Sequence, residues 1–376
     1  MPLLPGEFRE AEPPCPHFGA CGGCLLQNLP YPAQLAFKRE VVRRAFLGQG
    51  LEVDPLLSEV AGMADPWHYR NKADFNIRPA GGIARLGFTR ADARGVLEVE
   101  QCPISSLEIN QVLAAFRQIL PEFGSLRRRL HSIIVRSSRH EKAATVLYHT
   151  RLKDPAVFSG LSGQLMAACP IVKGAAFIDR RREVAVGCTT LTERVLDIDY
   201  TYRLSSFFQA NPLQTETLVR TVLELAQPQP QDVAADVYAG VGLFTLQLAR
   251  LVREVHSIED TPSAVDDAAA NAARAGISNC RFHRGQAQEC LGTLDLVRTG
   301  VSLAVLDPPR SGCSEATLAL LPRFAPRRMV YVSCNPLSLA RDAKVLVDAG
   351  FRLTALRPVD MFPQTTHVEC VACFER

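Results

Sequence analysis

The stretch Asp-Val-Tyr-Ala-Gly-Val-Gly at residues 236–242 decides the fold of this chain. It follows a short apolar run and precedes a longer amphipathic one, so it is predicted to join a buried strand to a helix. Glycines in such a loop let the backbone approach a ligand, and the helix N-terminus offers free N–H groups. The loop therefore predicts a site for a nucleotide-like cofactor, with Gly240 at the ligand.

Around this loop, strands and helices alternate regularly from residue 232 onward. Strands are predicted at Val233–Tyr238, Val255–Ile258, Cys280–His283, Leu303–Leu306, Met329–Val332, Arg352–Leu356 and His367–Cys373. Helices are predicted at Leu243–Arg253, Pro262–Ala275, Glu315–Leu321 and Leu337–Ala349. Seven strands, with only a loop between the last two, match a doubly wound α/β sheet closed by a β-hairpin. This arrangement is the Rossmann-like topology of class I methyltransferases.

The preceding sequence has a different character. Residues 33–47 are typical of one amphipathic helix that ends at Gly48. From residue 53 to about residue 200 the chain is rich in strand and turn signals, which favours an α+β domain with antiparallel pairing. We predict three parts: a small N-terminal segment at 1–50, a central α+β domain at 51–204 and the doubly wound domain at 205–376.

The composition excludes several classes of protein. Hydrophobic residues make up 47% of the chain and charged residues 22%, as in ordinary globular proteins. The apolar runs are shorter than a membrane span, and the N-terminus shows no export signal, so a cytoplasmic protein without membrane contacts is expected. The net charge of +3 is too small to indicate a nucleic-acid partner. Twelve cysteines in such a chain favour metal binding or catalysis over disulfides.

The nature of the cofactor is indicated by two further features. The second predicted strand ends at Glu259, where an acidic side chain typically accepts hydrogen bonds from ribose hydroxyls. The glycine loop lacks the third glycine of the pyrophosphate-binding pattern, which favours S-adenosylmethionine over NAD. At the end of the fourth strand, Asp307 is followed by Pro308, Pro309 and Arg310. The Asp307 carboxylate is predicted to face the cofactor crevice, although the prolines also fit a purely structural turn.

A candidate nucleophile follows the fifth strand. Cys334 lies just before Asn335 and Pro336, at the carboxyl edge of the predicted sheet, where ligands bind. A thiolate is a strong nucleophile, and the carboxylate of Glu369 could take a proton later in the same reaction. By itself this pattern also fits a small buried cysteine with no catalytic role.

Four other cysteines have the spacing of metal ligands. Cys15, Cys21 and Cys24 form a C-x5-C-x2-C pattern, and Cys102 lies in Glu-Gln-Cys-Pro-Ile at residues 100–104. Cytoplasmic cysteines grouped in this way are typical of a metal site. Zinc is the general interpretation of four thiolates.

Taken together, these motifs resemble the RNA uracil-5-methyltransferase family over nearly the whole chain. The motifs occur in the order Ser-Phe-Phe-Gln-Ala-Asn (206–211), the 238–242 loop, Asp-Pro-Pro-Arg (307–310), Ser-Cys-Asn-Pro (333–336) with Leu-Ala-Arg-Asp (339–342), and Phe-Pro-Gln-Thr (362–365) through Glu369. The resemblance implies that Cys334 adds to C6 of a uracil, which activates C5 for methylation, and that Glu369 then removes the C5 proton. It implies cofactor contacts from residues that share the central crevice: Gln209, Tyr238, Glu259 and Asp307. It also implies that Phe207 stacks on an extruded base and that Arg310 contacts RNA.

The resemblance also suggests a cluster and a substrate. The ribosomal-RNA branch of the family carries a 4Fe–4S cluster on the same cysteine pattern, so Cys15, Cys21, Cys24 and Cys102 are expected to hold one, in a structural or RNA-recognising role. Only 14 residues precede Cys15, so the leading β-barrel domain of some relatives is expected to be absent. These features favour the branch that acts on 23S rRNA. Alternatives are the transfer RNA branch and a non-catalytic, metal-stabilised RNA-binding protein. Nothing predicts an obligate protein partner.

Overall fold

A computed structural model describes residues 11–80, 83–123, 130–150, 155–179, 182–294, 296–324 and 326–376. The helices are α1 Tyr31–Leu47, α2 Leu107–Ile119, α3 Pro155–Ala168, α4 Pro212–Ala226, α5 Leu243–Ala249, α6 Pro262–Arg274, α7 Ala287–Thr293, α8 Leu296–Thr299, α9 Glu315–Phe324 and α10 Pro336–Asp348. A short 3₁₀ helix spans Leu120–Glu122. The first nine strands are β1 Lys72–Ala80, β2 Ile83–Thr89, β3 Val96–Glu98, β4 Leu130–Ser138, β5 Ala143–Thr150, β6 Val172–Asp179, β7 Arg182–Gly187, β8 Thr190–Val195 and β9 Ile198–Arg203. The remaining strands are β10 Val233–Val237, β11 Glu254–Glu259, β12 Cys280–Arg284, β13 Val301–Leu306, β14 Arg328–Ser333, β15 Arg352–Val359 and β16 Glu369–Glu375.

The C-terminal sheet has the predicted doubly wound topology. In the described residues its strand order is β12-β11-β10-β13-β14-β16-β15. The strands from β10 to β14 pair in parallel, and β16 is antiparallel to both of its neighbours. The strand order reverses between β10 and β13, and ligands of such sheets bind at the carboxyl edge of that switch point. Both strands end in residues that the sequence assigned to the cofactor.

The sheet is buried on both faces because its central strands are almost entirely apolar. All five residues of β10 are buried, as are five of the six residues of β14. Two large apolar clusters cover the two faces, one including Met329, Leu339 and Phe374, the other including Leu218, Leu246 and Val330. This pattern is typical of parallel sheets, whose two faces are covered by crossover helices.

The predicted elements of this region are confirmed with small shifts at their ends. The largest shift concerns α5, which was predicted to reach Arg253 but ends at Ala249. The chain turns after Ala249. The Arg253 N–H then donates to the carbonyl of Asp232 at 3.0 Å, just before β11 begins to pair with β10. Helices α4 and α7 and the four-residue α8 were missed. For α4 the signal was present, since Asn211 caps the helix through the N–H of Gln214 and Pro212 occupies its first turn.

The central region contains a second sheet, in the order β3-β2-β1-β4-β5-β6-β7. Its pairs are antiparallel except for β5 with β6, so the predicted α+β architecture is observed. Helices α2 and α3 cover one face through an apolar cluster that includes Phe116, Phe158 and Leu161. The strands β8 and β9 form a separate hairpin that packs on the C-terminal core through Tyr200 and Tyr202.

The N-terminal segment packs on the C-terminal sheet. Helix α1 contributes Val42 and Phe46 to that core and lies against α10. Just after it, Leu57 and Ala61 form isolated parallel bridges with Leu356 and Val359 at the edge strand β15. The three-part division of the chain stays a prediction. No helix in the described ranges has the length and apolar character needed to cross a membrane.

Candidate active site and cysteine cavity

One cavity of about 610 Å³ lies at the carboxyl edge of the C-terminal sheet. Its lining includes the residues that the sequence assigned to catalysis, cofactor and RNA: Phe207, Gln209, Tyr238, Gly240, Glu259, Asp307, Arg310, Cys334 and Glu369. A second cavity of about 710 Å³ shares Tyr238 and Glu259 and extends to Gln286 and Ala287 after β12. Sequence analysis missed this extension, although the end of the third strand also lies at the ligand-binding edge.

The glycine loop has the geometry of a ligand cradle. Tyr238, Gly240 and Gly242 all have positive φ angles, of 67°, 55° and 88°. A side chain at Gly242 would come within 2.7 Å of Leu246, so only glycine fits where the loop enters α5. A Cβ added at Gly240 would meet nothing within 4 Å, so that backbone is open to the cavity. Close approach of a ligand to this backbone is therefore possible.

Glu259 is fixed by two backbone groups. Its carboxylate accepts hydrogen bonds from the N–H of Gly240 (2.9 Å) and the N–H of Thr261 (2.8 Å). These contacts hold the carboxylate beside the glycine loop, at the mouth shared by the two cavities. A carboxylate in this place can accept hydrogen bonds from a ribose.

Two buried carboxyl groups lie at the ends of neighbouring strands. Burial, with a smaller contribution from the nearby Asp236, raises the pKa of Asp307 to about 7. Burial also raises the pKa of Asp236 to about 7, against the hydrogen bond that the Thr245 hydroxyl donates at 2.6 Å. The Gln209 amide approaches Asp307 at 3.5 Å. Such groups exchange protons near neutral pH, as acid–base catalysis requires.

Cys334 is half-buried at the junction between β14 and α10. Burial, followed by the nearby Glu369 and Asp307, raises the pKa of its thiol to about 11, against a lowering by Arg310. The junction is held in place because the side chains of Asn335 and Ser338 both donate to the carbonyl of Arg310, at 3.0 and 3.1 Å. The thiol is therefore protonated near neutral pH when no ligand is bound, and it lies among groups that can change this state.

Glu369 is the first residue of β16 and is almost fully buried. Burial raises the pKa of its carboxyl well above the usual value, and Asp307 raises it further. The next residue, Cys370, pairs with Ser333 at the end of β14 and is fully buried in the core. Cys370 therefore packs in the core and does not line the cavity that contains Glu369. The pairing of β14 with β16 brings Glu369 and Cys334 to one edge.

Phe207 and Gln209 reach the cavity from the segment before α4. That segment is fixed on one side by the Ser206 hydroxyl, which donates to Asp267 at 2.6 Å. On the other side the Asn211 amide donates to the carbonyl of Met361 at 3.1 Å. Phe207, between these anchors, remains 62% exposed, which is unusual for an aromatic side chain at a cavity. Its ring is available to stack on a planar ligand.

The cavity mouth carries positive charge. Burial lowers the pKa of His367, and the nearby cations Arg310, Arg70 and Lys38 lower it further. Arg310 lines the active-site cavity and Arg70 lines a neighbouring one. This arrangement favours an anionic ligand such as a phosphodiester.

The neighbouring cavity, of about 400 Å³, is lined by all four N-terminal motif cysteines, Cys15, Cys21, Cys24 and Cys102. Burial raises the pKa of the Cys15, Cys21 and Cys24 thiols, and the nearby Cys102 thiol adds to the increase. Yet among the residues that the structure describes, no three His, Cys, Asp or Glu side chains are arranged to hold a metal ion. The thiols share one cavity without converging on a single point.

The fold and the site define the class of this protein: it is a class I S-adenosylmethionine-dependent methyltransferase. The chain matches the family described as tRNA (uracil-5-)-methyltransferase over residues 31–376. It therefore belongs to the RNA uracil-5-methyltransferase family.

Individual relatives are similar over nearly all of this chain and more than four-fifths of their own length. An uncharacterised RNA methyltransferase of Oceanobacillus iheyensis is 35% identical over 395 residues, covering 99% of this chain and 84% of that protein. One of Halalkalibacterium halodurans is 32% identical over 381 residues, covering 97% and 83%. The crystal structure of the Pyrococcus abyssi tRNA (uracil-54, C5)-methyltransferase with S-adenosyl-L-homocysteine is similar with a TM-score of 0.72 at 26% identity, covering 94% of this chain and 85% of that one.

Proposed function

We propose that this enzyme methylates C5 of a uridine in 23S rRNA through a covalent bond between Cys334 and C6 of the base. The observation that carries the proposal is the shared cavity, in which a thiol, a buried carboxyl group and a glycine loop for the cofactor meet. A single carboxylate or a single thiol would fit many reactions. The combination fits alkylation of an unreactive ring carbon.

The proposed reaction has two proton transfers. The Cys334 sulfur bonds to C6, and its proton passes to a neighbouring carboxylate, for which Asp307, with a pKa of about 7, is suited. C5 then takes the methyl group, and S-adenosylhomocysteine leaves. Glu369, in its ionised form, removes the C5 proton, after which the C6–sulfur bond breaks and the thiolate is regenerated. Burial of Glu369 makes it a stronger base than an exposed carboxylate.

The target base has to leave its stack to reach Cys334. A uracil in a helix presents neither face of C6, so the enzyme must act on an extruded base. Phe207 supplies an exposed aromatic ring on which such a base can stack, and Arg310 supplies a cation for the adjoining phosphate. Gln209, Tyr238, Gly240 and Glu259 would hold the cofactor on the opposite side of the cavity.

Two RNA classes compete as the substrate. The four-cysteine cavity supports ribosomal RNA, because the sequence pattern resembles that branch of the family. The likeness to the Pyrococcus abyssi tRNA (uracil-54, C5)-methyltransferase supports transfer RNA. We place 23S rRNA first because the cysteine pattern is a feature of this chain itself.

Methylation assays on defined RNAs test this choice. With labelled S-adenosylmethionine, we expect methyl transfer to a loop uridine of protein-free 23S rRNA and weak or no transfer to transfer RNA transcripts. RNA binding should weaken steeply with salt, and replacing Arg70, Lys72 or Arg310 with Gln should each lower the slope of log K against log salt by about one. Methylation of transfer RNA with 23S rRNA left unmodified would contradict the assignment of 23S rRNA as the substrate. No transfer to any RNA would instead favour a non-catalytic RNA-binding protein.

The cysteine cavity fits an iron–sulfur cluster better than a single zinc ion. Zinc holds its four sulfurs at about 2.3 Å, so the thiols would have to converge. The four cysteines instead line, together with other residues, a cavity of about 400 Å³, which leaves room for a larger group ligated at four points. We propose that Cys15, Cys21, Cys24 and Cys102 hold a 4Fe–4S cluster, which would cross-link the N-terminal segment to the central region.

Replacing Cys21 with Ser tests the cluster. Wild-type protein purified without oxygen should be brown and contain about four iron atoms per chain, whereas the variant should lose its colour and most of its iron. Its melting temperature should fall, because the segment around these cysteines buries little apolar surface of its own. Replacing the exposed Cys188 with Ser is the matched control and should change neither iron content nor melting. Stoichiometric zinc without iron would show that the four cysteines bind zinc and not an iron–sulfur cluster.

A further inference from the structure

Glu369 follows a loop, residues 360–368, that connects the last two strands. Val359 at the end of β15 pairs directly with Glu369 at the start of β16. The loop between them contributes Phe362 to the active-site cavity. Its conformation therefore sets the direction in which the Glu369 side chain leaves the sheet and the shape of the wall beside it.

A fully buried ion pair holds the start of this loop. Lys38 of α1 donates to the Asp360 carboxylate at 2.5 Å and to the carbonyl of Phe362 at 2.9 Å. Both side chains of the pair are 0% exposed. The Tyr31 hydroxyl, two turns earlier on the same face of α1, donates to the other Asp360 oxygen at 2.9 Å. A buried charge pair is costly to form, so its presence here calls for a role beyond stability.

A paired amide holds the middle of the loop. The Gln34 side chain of α1 donates to the Gln364 side chain at 2.9 Å and accepts from the Gln364 N–H at 3.0 Å. Gln364 has a φ of 69°, in the left-handed region that non-glycine residues seldom adopt. Its carbonyl accepts from the N–H groups of Leu25 and Leu26, both at 3.1 Å. These contacts fix a strained backbone that would otherwise relax.

Hydrogen bonds continue from this clamp toward Glu369. The carbonyl of Phe362, which Lys38 binds, also accepts from the Thr365 hydroxyl at 2.8 Å. The same hydroxyl accepts from the His367 N–H at 3.3 Å. The chain of contacts thus reaches from α1 to within two residues of Glu369. By contrast, the contacts that hold the Cys334 junction involve Arg310, Asn335 and Ser338, and none of them belongs to the loop.

We propose that Lys38 and Gln34 are positioning residues for Glu369: they clamp the 360–368 loop so that the carboxylate meets the C5 proton. The inference rests on the proposed function, since it assigns Glu369 to the elimination step. The clamp holds the loop before Glu369 and not the junction that carries Cys334, so it affects proton removal from C5 and not the addition of the thiol to C6. Loosening the clamp slows proton removal while attack by Cys334 continues, so the covalent RNA adduct accumulates.

The test compares variants of one helix. Replacing Gln34 with Met removes the paired amide without leaving a charge unpaired, and replacing Lys38 with Met removes the ion pair. For each, turnover should fall by about tenfold to 10²-fold, as expected for a misplaced catalytic group, with KM for S-adenosylmethionine unchanged. The fraction of enzyme in the RNA adduct on a denaturing gel should rise above that of wild type. Arg44 on the same helix pairs with Glu40 at the surface, so replacing Arg44 with Met is the control and should behave as wild type.

The outcomes separate the inference from the function. Wild-type turnover in the Gln34 variant overturns the inference, and so does a loss of turnover without adduct accumulation, which would indicate a general folding defect. Replacing Lys38 leaves the Asp360 carboxylate buried without its cation, which can prevent folding. In that case the Gln34 variant alone tests the inference. Substantial methyl transfer to RNA by a variant with Cys334 replaced by Ala would instead refute the covalent mechanism of the proposed function itself.

Discussion

Replacing Cys334 with Ala is expected to abolish methyl transfer to RNA. Without the thiol, C5 of the uracil cannot be activated, and among the residues described around the cavity no second cysteine is present. Loss of a covalent nucleophile lowers turnover by up to about 10⁶-fold. Binding of S-adenosylmethionine, measured by calorimetry, should be unchanged because the cofactor contacts are assigned to the glycine loop and Glu259.

The control for this experiment is a cysteine of the same sheet that lies outside the cavity. Cys373 of β16 lies in the core and contacts the carbonyl of Leu225, so replacing it with Ala should lower stability and leave methylation measurable. Turnover by the Cys334 variant within tenfold of wild type would rule out covalent catalysis by this thiol.

Replacing Glu369 with Gln is expected to trap the enzyme on its RNA. Attack and methyl transfer precede the step that needs the carboxylate, so the methylated adduct forms but does not release. Turnover should fall by about 10²-fold to 10⁴-fold, the usual contribution of a general base. Protein and labelled RNA should migrate together on a denaturing gel, carrying the methyl group from the cofactor.

The isosteric change keeps the size of the buried side chain, so the fold should be preserved. A useful comparison is Glu193, which is also buried and whose pKa is raised by burial to about 7. Its carboxylate accepts a hydrogen bond from the backbone N–H of Arg139, and it does not line the active-site cavity. Replacing Glu193 with Gln should not trap any adduct. If the Glu369 variant turned over normally and left no adduct, another group would have to remove the C5 proton.

The outline of the C-terminal domain follows from local sequence signals. Apolar runs such as Val233–Val237 and helix signals such as Pro262 are set by neighbouring residues, so strand and helix positions are readable without tertiary information. Several candidate site residues share a simple property: Tyr238, Asp307 and Cys334 each directly follow a strand of the parallel sheet, and Glu259 ends one. Because parallel strands end at one edge, the sequence alone predicts that they meet there.

The elements that were missed depend on other information. Helix α7 is seven residues long and has no capping side chain, so its sequence gives only a weak local signal. It exists because Cys290 and Leu291 pack into the core, where α7 lies against β11 and α9. The extension of the cavity beyond Tyr238 was missed for a similar reason, since Gln286 and Ala287 come to the site only when β12 joins the sheet.

The sequence by itself determined the class of fold, the order of the motifs and the residues that carry the proposed chemistry, because these depend on residue type and spacing. Only the tertiary structure decided how α1 clamps the loop before Glu369, through contacts such as Lys38 with Asp360 and Gln34 with Gln364. More than 300 residues separate the partners, with sequence separations of 322 and 330. No local pattern reports such a contact. Its geometry arises when apolar burial brings α1 onto the finished sheet.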